Sequence, residues 1–189
     1  QSHDENIKVS SDLCEEDVIP VQHLFRTFDN MPDLEKMALI QSEGKILDIG
    51  VGAGCHTKYL KEKGFDIIGI DTSAGACQHL REHDITVFHE NFMTFNDDQF
   101  DSILMLMNGI GLCGTLEGLN ASLSHLKTLL KPGGKILCDS TDIQYMYTQD
   151  DGSVWMDLNA NYYGEMKFNM TYKDVESGWF PWLYVDPRK

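Results

Sequence analysis

Between residues 44 and 142, short aliphatic runs alternate with helix-patterned stretches, and this alternation restricts the fold more than any other feature of the chain. Residues 45–49, 67–70, 85–89, 99–107 and 135–139 read as strands; the second is aliphatic apart from Gly69, and the fourth carries SILMLM. Between them, residues 55–63 read as a helix closing at Gly64, residues 74–83 as another, and residues 117–130 as a third with Leu119, Leu123, Leu126 and Leu130 on one face. Pro132, Gly133 and Gly134 break that third helix. Aliphatic strands that alternate with helices are buried on both faces, which requires a mainly parallel, doubly wound α/β sheet.

The flanks differ. Residues 1–16 are polar and acidic and read as a flexible segment. Residues 17–42 read as two short helices meeting near Asn30, with Pro32 suited to the first turn of the second. After Asp142, residues 165–173 set Met166, Phe168, Met170 and Tyr172 against Lys167, Asn169, Thr171 and Lys173, the period of a half-buried antiparallel strand. Residues 175–178 read as a turn and 179–186 as the returning strand, with Pro181 placing it at an edge. The expected organisation is one domain over 17–189, comprising a helical lid (17–42), a core (44–142) and an added antiparallel hairpin (164–186).

Composition excludes some roles. A net charge of -15 disfavours nucleic-acid binding, because an acidic surface repels phosphate. No apolar run approaches the ~20 residues that a membrane helix needs, and the first residues lack the basic and apolar regions of a secretory signal. The five cysteines form no CxxC pair, so free thiols in a reducing cytoplasm are expected, and no metal site.

Within the first strand and its turn, ILDIGVGAGC places glycine at 50, 52 and 54. Glycine is costly unless the backbone needs an unusual turn or something approaches closely. In doubly wound sheets such a turn floors the ligand site. A dinucleotide site wants G-x-G-x-x-G, but here the sixth position is Cys55 and the third glycine arrives one residue early. Asp48, inside the strand, would sit badly beside a pyrophosphate and well beside an ammonium and a sulfonium. Asp71, at the end of the second strand, suits the ribose of either ligand.

Four segments together resemble the class I (Rossmann-like) S-adenosylmethionine-dependent methyltransferases of the small-molecule type: ILDIGVGAGC, IIGIDTS (67–73), FDSILMLMNGIG (100–111) and LLKPGGKILCDS (129–140). The resemblance implies S-adenosyl-L-methionine as cofactor. It implies that the methionine portion lies against Gly50, Gly52 and Gly54, that Asp48 holds the ammonium and that Asp71 accepts the ribose hydroxyls, with Thr72 flanking the adenine. Asn91 takes the place where relatives often have an Asp for the adenine amino group, with Phe92 supplying its backbone N–H and Glu90 as a rival. Met107 and Asn108 line the methyl-donor side. Plainer alternatives stand beside these roles: Asp48 as a buried acid capping the turn, Asp71 as a helix N-cap, Asn91 as a turn residue, and Asn108-Gly109 as a turn dipeptide.

Methyl transfer from a sulfonium is an in-line displacement that mainly needs alignment and exclusion of water. Candidates for a general base are His23, His56, Asp142 and Tyr145, although His56 also reads as a first-turn surface residue. Met107-Asn108-Gly109-Ile110 stands where nucleic-acid N-methylating enzymes carry N/D-P-P-Y/F, so a small-molecule acceptor is expected, with a protein acceptor or an inactive cofactor-binding protein as alternatives. Phe25, Phe28 and Met31-Pro32 are expected in a lid, and Trp155, Tyr162, Tyr163, Trp179 and Trp182 either line the acceptor site or pack the hairpin. The resemblance implies seven strands where five parallel ones and a hairpin are legible, so a C-terminal helix and two last strands are expected to be missing, and a homodimer through the open sheet edge becomes an expectation.

Overall fold

Two sheets carry the structure, a computed structural model that describes residues 5–13, 17–155 and 162–186. In chain order come β1 (Asn6–Ser11), β2 (Asp17–Pro20), α1 (Val21–Leu24), α2 (Asp33–Gln41), β3 (Lys45–Ile49), α3 (Cys55–Glu62), β4 (Asp66–Asp71), α4 (Ala74–Arg81), β5 (Val87–His89), β6 (Phe100–Met105), α5 (Leu116–Leu129), β7 (Leu130–Cys138), β8 (Glu165–Tyr172), β9 (Val175–Glu176) and β10 (Phe180–Leu183). Short 3-10 turns lie at Phe28–Asn30, Gly109–Cys113 and Gln144–Tyr147.

The central sheet has the order β5-β4-β3-β6-β7, and every pairing in it is parallel. The chain winds outward from β3 to β5, then returns to the other side of β3 for β6 and β7. That reversal opens a crevice at the carboxyl ends of β3 and its neighbours, where doubly wound sheets bind ligands. Alternate residues of β3 enter opposite layers: Leu47 and Ile49 pack with Phe95, Phe100 and Leu126, while Ile46 packs with Met31, Leu39 and Leu60. Each such aliphatic side chain, fully buried, stabilises the fold by about 1.5–3 kcal/mol. Pro132-Gly133-Gly134, expected as a break, lies within β7 as an irregularity, the register jumping from Phe100–Leu130 to Ser102–Lys135.

The second sheet is antiparallel, ordered β10-β8-β1-β2, with β9 also on β8. It corrects three expectations. Residues 6–11, expected to be flexible, form β1, because Val9 finds Met170 of β8 across the ladder and is buried. Residues 17–20, expected in a helix, form β2, held against β1 by pairs such as Ile7–Ile19. The 164–186 hairpin is therefore part of a larger sheet, and the turn expected at 175–178 begins by pairing Val175 and Glu176 back onto β8. The weakly patterned stretch expected at 150–163 lies partly outside the described residues.

Beyond β2, the segment expected to be a lid is three short pieces, α1, the turn at Phe28–Asn30 and α2, with Pro32 just before α2 as its N-cap rather than within its first turn. Phe28 stacks on Tyr59 of α3 with ring centroids 4.2 Å apart, and Met31 and Leu39 join the apolar layer around Leu60. Phe25 meets the edge of His79 and stays half exposed.

Candidate functional site

The three glycines of the first turn serve three different purposes. All have positive φ, at 71°, 54° and 78° for Gly50, Gly52 and Gly54, a conformation that side-chain-bearing residues adopt at a cost. A β-carbon on Gly50 would lie 2.7 Å from Leu112 Cδ1, and one on Gly54 would run into Leu80. Gly54 is also the N-cap of α3. Gly52 differs: a β-carbon there would meet only the Gly50 carbonyl, at 3.8 Å. Its open side is the one place on the turn where the lack of a side chain leaves room for a ligand.

Asp71 faces that place. Its Oδ2 accepts the Gly52 N–H and its Oδ1 accepts the Ser73 N–H, both at 2.8 Å. The N-cap of α4 is Ser73, whose hydroxyl accepts the Ala76 N–H, so Asp71 ties the glycine turn to the end of β4 and is not an ordinary cap. Asp48 lies beneath the turn, 2% exposed, where Thr57 donates its hydroxyl to Oδ2 at 2.5 Å. Burial pushes the Asp48 carboxyl above its ordinary value, against the nearby His56 charge and the Thr57 hydrogen bond, with the Asp71 charge adding to the rise.

His56 corrects the expectation of a surface residue: it is 6% exposed, and its Nε2 lies 2.7 Å from Glu35 Oε2. The same oxygen pairs with Arg26 Nη2, and Glu35 and Arg26 are buried as well. Burial pulls the His56 pKa down, but hydrogen bonds to Cys55 and Glu35 and the charge of Asp48 raise it to about 10. In Glu35 burial works upward, yet the hydrogen bonds from His56 and Arg26 hold it below its ordinary value. Glu35 and Arg26 were not among the residues picked out from sequence. The available signal was an acid placed on α2 where an apolar residue would extend the face formed with Leu39, since both are buried.

The remaining expected residues spread around the same end of the sheet. Thr72 is exposed, and its carbonyl accepts from His89 Nε2 at 2.9 Å. Asn91 is exposed and turns its Oδ1 onto the Met93 N–H at 2.9 Å, a local turn contact. Phe92 is buried, with its carbonyl accepting from His125. Met107 and Asn108 both have positive φ, 63° and 56°, a strained pair of the kind found at ligand sites. Asn108 ties three elements together: its Nδ2 donates to the Leu183 carbonyl at 3.3 Å, and its Oδ1 accepts the Thr141 N–H at 3.1 Å.

Of the candidate bases, His23 is exposed on α1, and burial and the Arg26 charge lower its pKa. Tyr145 is exposed. Asp142 accepts from the Tyr163 hydroxyl and the Gln144 N–H, each at 2.9 Å. Burial, Tyr162 and Asp142 all push the Tyr163 phenol above its ordinary value. Trp182 lies against Gly111, packing β10 onto the turn after β6, while Trp155 and Trp179 are largely exposed.

Two surface depressions lie at the opposite end of the sheet, one bounded by Asn96, Gln99, Thr128 and Lys131, the other by Glu43, Asp101 and Gly133. They sit at the amino ends of β3, β6 and β7, away from the crevice that the topology opens. Among the described residues no group of three or more His, Cys, Asp or Glu could hold a metal, and no helix is long and apolar enough to cross a membrane.

The chain is similar to known proteins over most of its length. Residues 22–182 match a family described as a methyltransferase domain. A SAM-dependent methyltransferase from Bacteroides fragilis, solved in complex with S-adenosyl-L-homocysteine, superposes with a TM-score of 0.89 at 39% identity, over 98% of this chain and 76% of that one. A S-adenosylmethionine-dependent methyltransferase from Clostridium acetobutylicum ATCC 824 shares the fold, with a TM-score of 0.61 at 13% identity over 89% of this chain and 79% of that one. YqeM of Bacillus subtilis (strain 168), a methyltransferase by name, is 29% identical over 109 residues, which span 54% of this chain and 44% of that relative's length.

Proposed function

Because the chain belongs to the methyltransferase-domain family, we propose that it transfers a methyl group from S-adenosylmethionine to a small-molecule acceptor by in-line displacement. The observation that carries this is the open side of Gly52 with the Asp71 carboxyl against its N–H, in the turn that follows the strand of the buried acid Asp48. The cofactor would bring a methyl group already activated on a sulfonium.

The residues present fit such a ligand. Asp71 offers two carboxyl oxygens suited to two vicinal hydroxyls. Asp48 sets a buried carboxyl in the strand that leads into the turn, the place the resemblance gives to the group that meets an ammonium. The chain's remaining work is to orient and to exclude water. β10 contributes by closing over the carboxyl end of β6, through Asn108 on Leu183 and Trp182 on Gly111. A small acceptor is favoured by the acidity of the chain and by this cover.

Among the expected bases, His56 is engaged by Glu35, and Asp142 already receives the Tyr163 hydroxyl. That leaves His23 and Tyr145, both exposed, as the expected bases that the structure does not engage elsewhere among the described residues.

Calorimetry with S-adenosylmethionine and S-adenosyl-L-homocysteine, followed by a methyl-release assay on a metabolite panel, tests the proposal. Binding with turnover supports it. Binding without turnover on any acceptor shifts the assignment to a cofactor-binding protein on the same scaffold. Tight NADH binding with no response to S-adenosylmethionine sinks it.

A further inference from the structure

Arg26 carries a donor that nothing around it accepts. The residue is 7% exposed, and its Nε is buried without a hydrogen-bond partner among the described residues. The two terminal nitrogens are used: Nη1 donates to the His23 carbonyl and Nη2 to Glu35 Oε2. That carboxylate oxygen is shared, since His56 Nε2 lies 2.7 Å from it. A buried N–H without an acceptor is costly, and folded proteins keep few of them. Packing does not call for this one. Phe28 on Tyr59, with Met31 and Leu39 against Leu60, already seats residues 21–41 on an apolar interface. Apolar side chains in place of a buried ion pair are often no worse for stability.

The place of Arg26 in the fold says what the donor is for. α3 starts at Cys55, directly after the glycine turn and at the carboxyl end of β3. Its second and third residues lead in two directions. His56 reaches Arg26 through Glu35, and Thr57 donates to Asp48 Oδ2 at 2.5 Å. The start of one helix is thus flanked by a buried carboxyl and by a guanidinium with a spare donor. An amino acid carries an ammonium and a carboxylate on one carbon, so its site needs an acid and a cation close together. We propose that Arg26 binds the carboxylate of the cofactor's amino-acid portion through Nε, while Asp48 meets the ammonium on the same carbon. The proposal rests on the cofactor assignment above. A guanidinium suits the task, because it stays charged and presents its donors in a fixed plane that matches a carboxylate.

The probes are S-adenosylmethionine and its decarboxylated form, which differ by the carboxylate alone, titrated calorimetrically without acceptor. The wild-type protein is expected to bind S-adenosylmethionine about tenfold more tightly than the decarboxylated form, or better. Arg26→Met is expected to erase that preference, losing about tenfold toward S-adenosylmethionine and less than about twofold toward the other. Arg26→Lys, a charge without the fork, should keep part of it. Equal weakening of both ligands by Arg26→Met would make Arg26 merely structural and overturns the proposal. So does a wild type without the preference. Should the variants fail to fold, the protein with Arg81→Lys and Arg188→Lys decides by NMR, since Arg26 is then the only arginine left. Its single arginine Nε–H signal is expected to shift with S-adenosylmethionine and not with the decarboxylated form. A signal that ignores both, or answers both alike, overturns the proposal. A wild-type protein that binds neither probe overturns the cofactor assignment itself, before any variant is compared.

Discussion

Leu112 stands where a β-carbon on Gly50 would go, its Cδ1 2.7 Å from that position. Gly50→Ala therefore adds to a positive-φ cost of about 1 kcal/mol the smaller cost of turning the half-exposed Leu112 methyl aside. Gly52→Ala carries only the first cost, because nothing but the Gly50 carbonyl is near. Urea denaturation should rank Gly50→Ala as the less stable by a small margin, and Leu112→Ala added to it should remove that margin. Equal destabilisation by the two alanines would show that the Leu112 contact is not what excludes a side chain at position 50.

Gly111 has a similar relation to Trp182, against which an added β-carbon would collide. Here φ is not positive, so the cost is purely steric. Gly111→Ala should lift β10 from the turn after β6, seen as a red shift in tryptophan emission and a loss of about 1–3 kcal/mol. Unchanged emission would mean that the indole can move aside at no cost.

The pH dependence of stability follows from His56 and Glu35. His56 has its folded pKa raised from an ordinary 6.5 to about 10, so its contribution is complete below 6.5 and disappears as pH rises toward 10. Glu35 has a folded pKa below its ordinary 4.5, so its contribution is complete above 4.5 and disappears as pH falls through the lower folded value. The melting-temperature gap between wild type and His56→Gln should thus be largest near pH 6 and shrink toward pH 10. A gap that widens with rising pH would contradict a protonated His56.

Asp48 separates a ligand role from a capping role by the sign of two effects. Burial raises its pKa, so the buried charge costs stability above that pKa. Asp48→Asn keeps an acceptor for the Thr57 hydroxyl, so it should hold or raise the unliganded melting temperature at pH 8 while weakening S-adenosylmethionine binding by about tenfold. Lower stability with unaltered binding would make Asp48 a cap and no more.

The parts of the fold that the sequence reveals are those fixed by short-range pattern. Aliphatic runs such as SILMLM point to buried strands, although here the strand ends at Met105 and Leu106 and Met107 enter the turn, and ILDIGVGAGC announces its turn by three glycines in five residues. What stayed hidden depends on partners far along the chain. NIKVSS does alternate, with Ile7 and Val9 against Asn6 and Lys8, but six residues say nothing until Met170 is placed opposite Val9. Arg26 and Glu35 look like surface charges in a short helical segment. Only the packing of α2 on α3 turns them inward to His56. Within the candidate site, the glycines, Asp48 and Asp71 stand out in the sequence as candidates, whereas Leu112 at Gly50 required the turn after β6 to be folded back over them.

The pairing of β1 with β8 also sets an order of assembly. During synthesis β3 to β7 can close their ladders among themselves, since each finds its partner within about sixty residues or fewer. The β1–β2 hairpin emerges before them, yet a lone two-stranded ribbon is marginal in water. It stays without support on its outer side until residues 168–171 leave the ribosome. The central sheet is thus free to take shape before its antiparallel cover, and a hairpin made before that sheet is locked in place after it.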